Sequence, residues 1–121
     1  MQATEREVVA ELSLASGSIS VTTQDLGAIK QALRSALVER ERENPADYAP
    51  LLVELDAAPV WISHGIANLG PWKLTTREDR IVLVRRTPPT PTRLFHVATL
   101  ERVGSVAWHV KNLEVEVVHP R

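Results

Sequence analysis

Apolar and polar residues alternate at the start of the chain. Val8, Ala10, Leu12 and Leu14 share one parity, Glu11 and Ser13 take the other, and Val9 alone breaks the rule. The alternation resumes at Ile19 and Val21 after Ala15, Ser16, Gly17 and Ser18. Period two across a small-residue interruption predicts a β-hairpin. A four-residue turn sets Leu14 opposite Ile19 and Leu12 opposite Val21, with Glu11, Ser13 and Ser20 on the other face. A helix starting at Thr4, with Thr4 and Glu7 as its capping box, is the competing assignment for residues 4–15.

From Thr22 the period changes to that of a helix. Thr22 or Thr23 supplies an N-cap hydroxyl, and Asp25 suits the positive end of the helix dipole. Leu26, Ile29, Leu33, Ala36 and Leu37 fall on one face, and Glu39, Arg40, Glu41, Arg42 and Glu43 continue as a solvated end. Asn44 and Pro45 stop the helix.

The rest reads as strands after a Pro-bounded loop at 45–50. Leu51–Leu55 is a short first piece. Val60, Ile62, His64 and Ile66 alternate with Trp61, Ser63 and Gly65 in a second strand, and residues 68–71 form a turn. Residues 72–74 and 80–86 pair so that Leu74 meets Ile81 and Trp72 meets Leu83. Residues 87–92 contain Pro88, Pro89 and Pro91, which deny three main-chain donors, so this is an exposed hairpin tip. Its P-x-x-P spacing reads first as a strand terminator and only then as a module ligand. Residues 93–103 form the next strand, and Gly104 breaks it. Beyond it, Val106, Trp108 and Val110 have one parity, and Leu113, Val115 and Val117 the other. A hairpin turning at Lys111 and Asn112 puts all six on one face, with His109 opposite Glu114; a bulge in one long strand flips parity in the same way.

Hairpin, helix and antiparallel strands together predict an α+β domain spanning residues 1–121. One long helix packs on a strongly bent antiparallel sheet, an architecture of the cystatin-like or cone-shaped class. A chain of 121 residues, 44% apolar and without Cys, has room for one such core, burying roughly two-thirds of the unfolded surface, and not for a second domain. No apolar stretch has the length of a signal or membrane span, so the expectation is a cytoplasmic protein with no membrane association.

Charge excludes a general nucleic-acid binder: 14 bases against 15 acids leave a net of −1. The basic cluster Lys73, Arg77, Arg80, Arg85, Arg86 and Arg93 lacks free aromatics for stacking and reads as solubilising strand ends. The first sixty residues hold ten acids and five bases, and the remainder five acids and nine bases. In one folded domain such sets ordinarily intermingle on the surface.

Candidate chemistry is sparse. The four His have no metal-ligand spacing, no serine sits in a G-x-S-x-G elbow, and no phosphate-binding loop occurs, so no catalytic residue, metal or cofactor is assigned. His64 and His96 stand at apolar parity positions. With Trp61 they are candidates to line a pocket, set against the plainer role of core histidines satisfied by backbone partners. A second feature is a packing deficit. Val82 and Val84, and Phe95 and Val97, lie on the side of their strands opposite Ile81, Leu83, Leu94 and Ala98, and one helix covers one side of a sheet. Curvature, a homodimer or a ligand must cover the other. The leading expectation is a non-catalytic binding or assembly domain, homodimeric through an exposed sheet face bearing Phe95, Val97, Val82 and Val84, or meeting another protein there. The alternative is a small-molecule pocket protein or small enzyme with a helix–sheet cavity lined by His64 and His96.

Overall fold

Thr22 ends a strand and begins a helix, and this junction organises the N-terminal half. A computed structural model describes residues 9–86 and 93–118. Strand β1 (Val9–Leu14) pairs with β2 (Gly17–Thr22), which resolves the hairpin-or-helix alternative for residues 9–14 in favour of the hairpin. Residues 4–8 and the Pro-rich tip at 87–92 lie outside the described residues. The hairpin register is two residues from the expected one: Leu12 opposes Ile19 and Ala10 opposes Val21. Gly17, at φ 129°, allows a two-residue turn, and a shift of two keeps every side chain on its predicted face.

Helix α1 (Thr23–Glu43) starts on a capping box. The Thr22 hydroxyl accepts from the Asp25 N–H at 3.0 Å, and the Asp25 carboxylate accepts from the Thr22 N–H at 3.0 Å. Leu26, Ile29, Leu33 and Leu37 are wholly buried, as their spacing predicts. Each contributes about 1.5–3 kcal/mol of burial.

A second helix, α2 (Pro45–Ala57), replaces the expected loop and the strand at Leu51–Leu55. Pro45 occupies the first helical position, where no N–H is needed, and Asn44 serves both helices: its N–H donates to Arg40 O, and its side chain accepts from Asp47 N. Tyr48, Leu51, Leu52 and Leu55 then repeat at helical spacing and are buried. Arg34 and Asp56, 2.8 Å apart, and Lys30 Nζ on Ala58 O, also 2.8 Å, hold α2 antiparallel to α1.

Six strands follow in an antiparallel meander in the order of the chain: β3 (Val60–Ser63), β4 (Ile66–Leu69), β5 (Trp72–Arg77), β6 (Arg80–Arg86), β7 (Arg93–Gly104) and β8 (Ala107–Val118). The strand expected through His64 is two strands, because His64 and Gly65, at φ 53° and 78°, turn the chain. Gly70 makes the next reversal at φ 58°; a Cβ there would meet the Ala58 Cβ at 2.7 Å. Glu78 and Asp79, at φ 53° and 61°, form the β5–β6 turn, pairing Leu74 with Leu83 and Trp72 with Arg85, again two residues from the expected register on the same face.

The last hairpin differs most from the expected topology. The reversal lies at Ser105 and Val106, where Val106 takes φ 57°, and β8 is one strand. Asn112 opposes Thr99 and Val110 opposes Leu100, so Lys111 is the extra residue of a bulge. The bulge keeps Trp108, Val110 and Leu113 on one face, as the parity required.

That face carries Ala67, Leu69, Trp72, Leu74, Ile81, Leu83, Ala98, Leu100, Trp108 and Leu113 into one core with the helices and with Ala10, Leu12 and Val21 of the hairpin. The fold is thus α+β, with two helices among the described residues, and not one, over an antiparallel sheet. Asp25 joins its ends. Its buried carboxylate accepts from the indole N–H of Trp108 at 3.0 Å, from Arg102 Nη2 at 3.1 Å and from the Thr22 hydroxyl at 3.0 Å, while the Arg102 guanidinium lies 5.0 Å from the Trp108 ring centre.

Burial pushes the Asp25 carboxyl upward, but its hydrogen bonds and Arg102 outweigh that, leaving it below its ordinary value of 3.8. The ionised form is therefore favoured by the fold. Its stabilisation is present above about pH 4 and lost as pH falls through the lower folded value. Asp25→Ala strips a helix cap and orphans a buried indole donor, and should cost about 2–4 kcal/mol in urea unfolding at pH 7. The variant should also lose part of the wild-type decline between pH 4 and pH 2.

Candidate functional site

The three pocket candidates do not come together. His64 sits in the exposed β3–β4 turn, where its Nδ1 is 3.0 Å from Ser63 Oγ. This Ser–His contact is between chain neighbours, and among the described residues no third side chain bonds to the ring to orient it, as nucleophilic catalysis requires. Trp61 pairs with Asn68, which pairs with the exposed Lys73, so its ring lies on the sheet face turned away from the helices and is 44% exposed. His96 is on the opposite face, buried beneath α2.

His96 is held among rings and charges. Tyr48 of α2 lies edge-on at 6.3 Å between centroids, and Trp72 of β5 is tilted at the same distance. Beside it Arg85 makes a two-pronged ion pair with Glu54 of α2, at 2.6 and 2.8 Å, tying β6 to that helix. Burial first, and the Arg85 charge second, push the imidazole below its ordinary 6.5, while Asp47 and Glu54 oppose the shift. His96 is therefore a neutral part of the core. His96 Nδ1 and Trp72 Nε1 are both buried without a hydrogen-bond partner among the described residues.

The helix-distal face of the sheet presents a different chemistry. Val82 and Val97 are only 3% and 4% exposed although they lie outside the helix-side core, and Val84 and Phe95 beside them are half-buried. Arg77 Nη2 on β5 reaches Glu116 Oε1 on β8 at 2.8 Å. Two strands intervene, which in a flat sheet is about 14 Å between backbones. The twist must therefore make this face concave along that diagonal. Curvature and the side chains on it thus cover part of the strip within one chain. A hollow of about 360 Å³ remains, floored by Val84 and Phe95 and rimmed by Lys73, Arg77 and Glu116.

Basic and acidic groups flank the strip on opposite sides. Lys73, Arg77 and Arg80 stand toward β5, and Glu114 and Glu116 toward β8. Lys73, Arg80 and Glu114 make no ion pair among the described residues. The sequence pattern identified the apolar residues of this face. The separation of charge across it follows from strand order, which only the structure supplies.

Among the described residues, no cluster of three or more His, Asp or Glu side chains is arranged to hold a metal ion, and no helix is long and apolar enough to cross a membrane. Comparison with protein-family models, with curated proteins and with solved structures finds no match to this chain.

Because the folded state disfavours the His96 imidazolium, protonation favours unfolding. Stability should be full above about pH 6.5 and decline as pH falls toward the lower folded value. Urea midpoints at pH 7.5, 6.5 and 5.5 should fall in that order, and His96→Phe, which keeps an aromatic ring in the site, should flatten the decline.

Proposed function

We propose that this chain is a non-catalytic binding and assembly domain that pairs with a second copy of itself through the helix-distal face of the sheet. The observation that carries the reading is the arrangement of charge about the apolar strip. A two-fold axis parallel to the strands, placed over the boundary between β6 and β7, sets β6 of one copy on β7 of the other. It also sets the basic β5 side against the acidic β8 side, twice over. A surface of this kind is self-complementary, as a two-fold contact requires.

Val84 and Phe95 form the apolar centre, and Lys73, Arg77, Glu114 and Glu116 the polar rim. An axis along the strands keeps each residue at its own level, and Lys73, Val84, Val97 and Glu114 are level with one another, so Lys73 of each copy faces Glu114 of the other and the contact forms two symmetry-related ion pairs. Rim charges of this kind set specificity and encounter more than raw affinity. The absence of convergence among His64, His96 and Trp61 supports a binding reading over a catalytic one.

Charge reversal tests the proposal. Lys73→Glu and Glu114→Lys should each be monomeric by sedimentation velocity at tens of micromolar, because each sets like charges face to face. An equimolar mixture of the two should form heterodimers. Monomers in the mixture, or unaltered dimers in either variant alone, would overturn it.

A further inference from the structure

Strand β8 is an edge of the meander: among the described residues it pairs only with β7. Its first half is covered by α1, and Arg40 reaches from that helix to the Leu113 carbonyl oxygen at 2.7 Å. Among the described residues, the cover ends beyond Leu113. Val115 and Val117, on the helix side of the strand, are 44% and 51% exposed, and Glu114 between them is exposed on the distal side. Every second residue of an edge strand turns its N–H and C=O away from the sheet. The Arg40 contact marks Leu113, and with it Val115 and Val117, as the outward set.

A second copy of β8 does not suit this edge. In two-fold antiparallel pairing, outward residues oppose outward residues, so odd positions face odd and even face even. Registers centred on residue 114, 115 or 116 set a Glu against a Glu of the other copy, and one centred on Leu113 displaces the Arg40 contact. Like charges directly opposite are destabilising. The edge is thus complementary to a different strand, with cations where β8 has carboxylates.

We propose that the 113–117 edge of β8 receives an extended segment of another protein, antiparallel to it, in which Lys or Arg alternates with β-branched residues. The main chain of Leu113, Val115 and Val117 supplies the ladder. The apolar residues of the segment cover Val115 and Val117, and its cations face Glu114 and Glu116, the latter already sharing its charge with Arg77. This is strand addition, with affinity from the main chain and selection from alternate side chains. The ladder uses the edge and not the concave face; Glu114 and Glu116 border both, and Val115 belongs to the edge alone.

The test is NMR titration of the full chain with the peptide acetyl-Lys-Val-Lys-Val-Lys-Val-amide, against acetyl-Glu-Val-Glu-Val-Glu-Val-amide. The basic peptide should shift the amides of residues 113–117 and slow their exchange with solvent, and the acidic one should not. Glu114→Lys should weaken the basic peptide roughly tenfold, as expected when one favourable cross-strand pair becomes repulsive. Val115→Pro removes one outward N–H at an edge position that tolerates proline, so it should keep the native spectrum elsewhere and lose the peptide. Equal binding of both peptides, shifts confined to Val84 and Phe95, or no response at millimolar peptide would overturn the proposal.

Discussion

The buried carboxylate of Asp25 is the contact on which the rest of the arrangement depends. It closes the capping box of α1, takes the indole N–H of Trp108 from the start of β8 and takes the Arg102 guanidinium from the end of β7. A buried charge is costly unless it is paired and hydrogen-bonded, and here the donors come from Thr22, Arg102 and Trp108, at the helix start and on β7 and β8. The helix therefore has one place to begin relative to the β7–β8 hairpin. From that start α1 runs along β8 to the Arg40–Leu113 contact, and α2 returns over the sheet to the Glu54–Arg85 ion pair.

With both helices committed to one side, the other side of the sheet must solve its own covering problem. It does so in part by curvature. The Arg77–Glu116 contact across β6 and β7 is the measure of that bend, and Val82 and Val97 are buried beneath it without any helix. What remains is a shallow apolar centre between a basic and an acidic border. The packing deficit visible in the sequence is thus resolved by two means, the chain's own curvature for the valines and, in our proposal, a second copy for Val84 and Phe95.

How far the sequence disclosed this depended on parity. Period-two patterns assigned the correct face to His96, Trp72, Trp108 and Leu113, and registers two residues away from the observed ones left those faces unchanged. Parity flips were harder, since a two-residue turn and a one-residue bulge produce the same flip. The flip between Ile62 and Ala67 is a turn at His64 and Gly65, and the flip between Val110 and Leu113 is a bulge at Lys111. Glycine at the first and its absence at the second is the signal that separates them. The true reversal at Val106 was hidden because a β-branched residue at positive φ is costly, by roughly 1–2 kcal/mol, and is not an expected turn residue. Pro45 and Pro50, read as the ends of a loop, masked α2, although Tyr48, Leu51, Leu52 and Leu55 carry its period. The tertiary partners of Asp25, 77 and 83 residues away, left no local mark.

The central claim is that the helix-distal face of the sheet is a contact between two copies. Sedimentation equilibrium of the unaltered chain measures it most directly. A self-paired chain should show a mass twice the 13.4 kDa of one chain at micromolar concentration, falling toward 13.4 kDa as salt is raised and the flanking charges are screened. A mass of 13.4 kDa at every concentration and salt would contradict it.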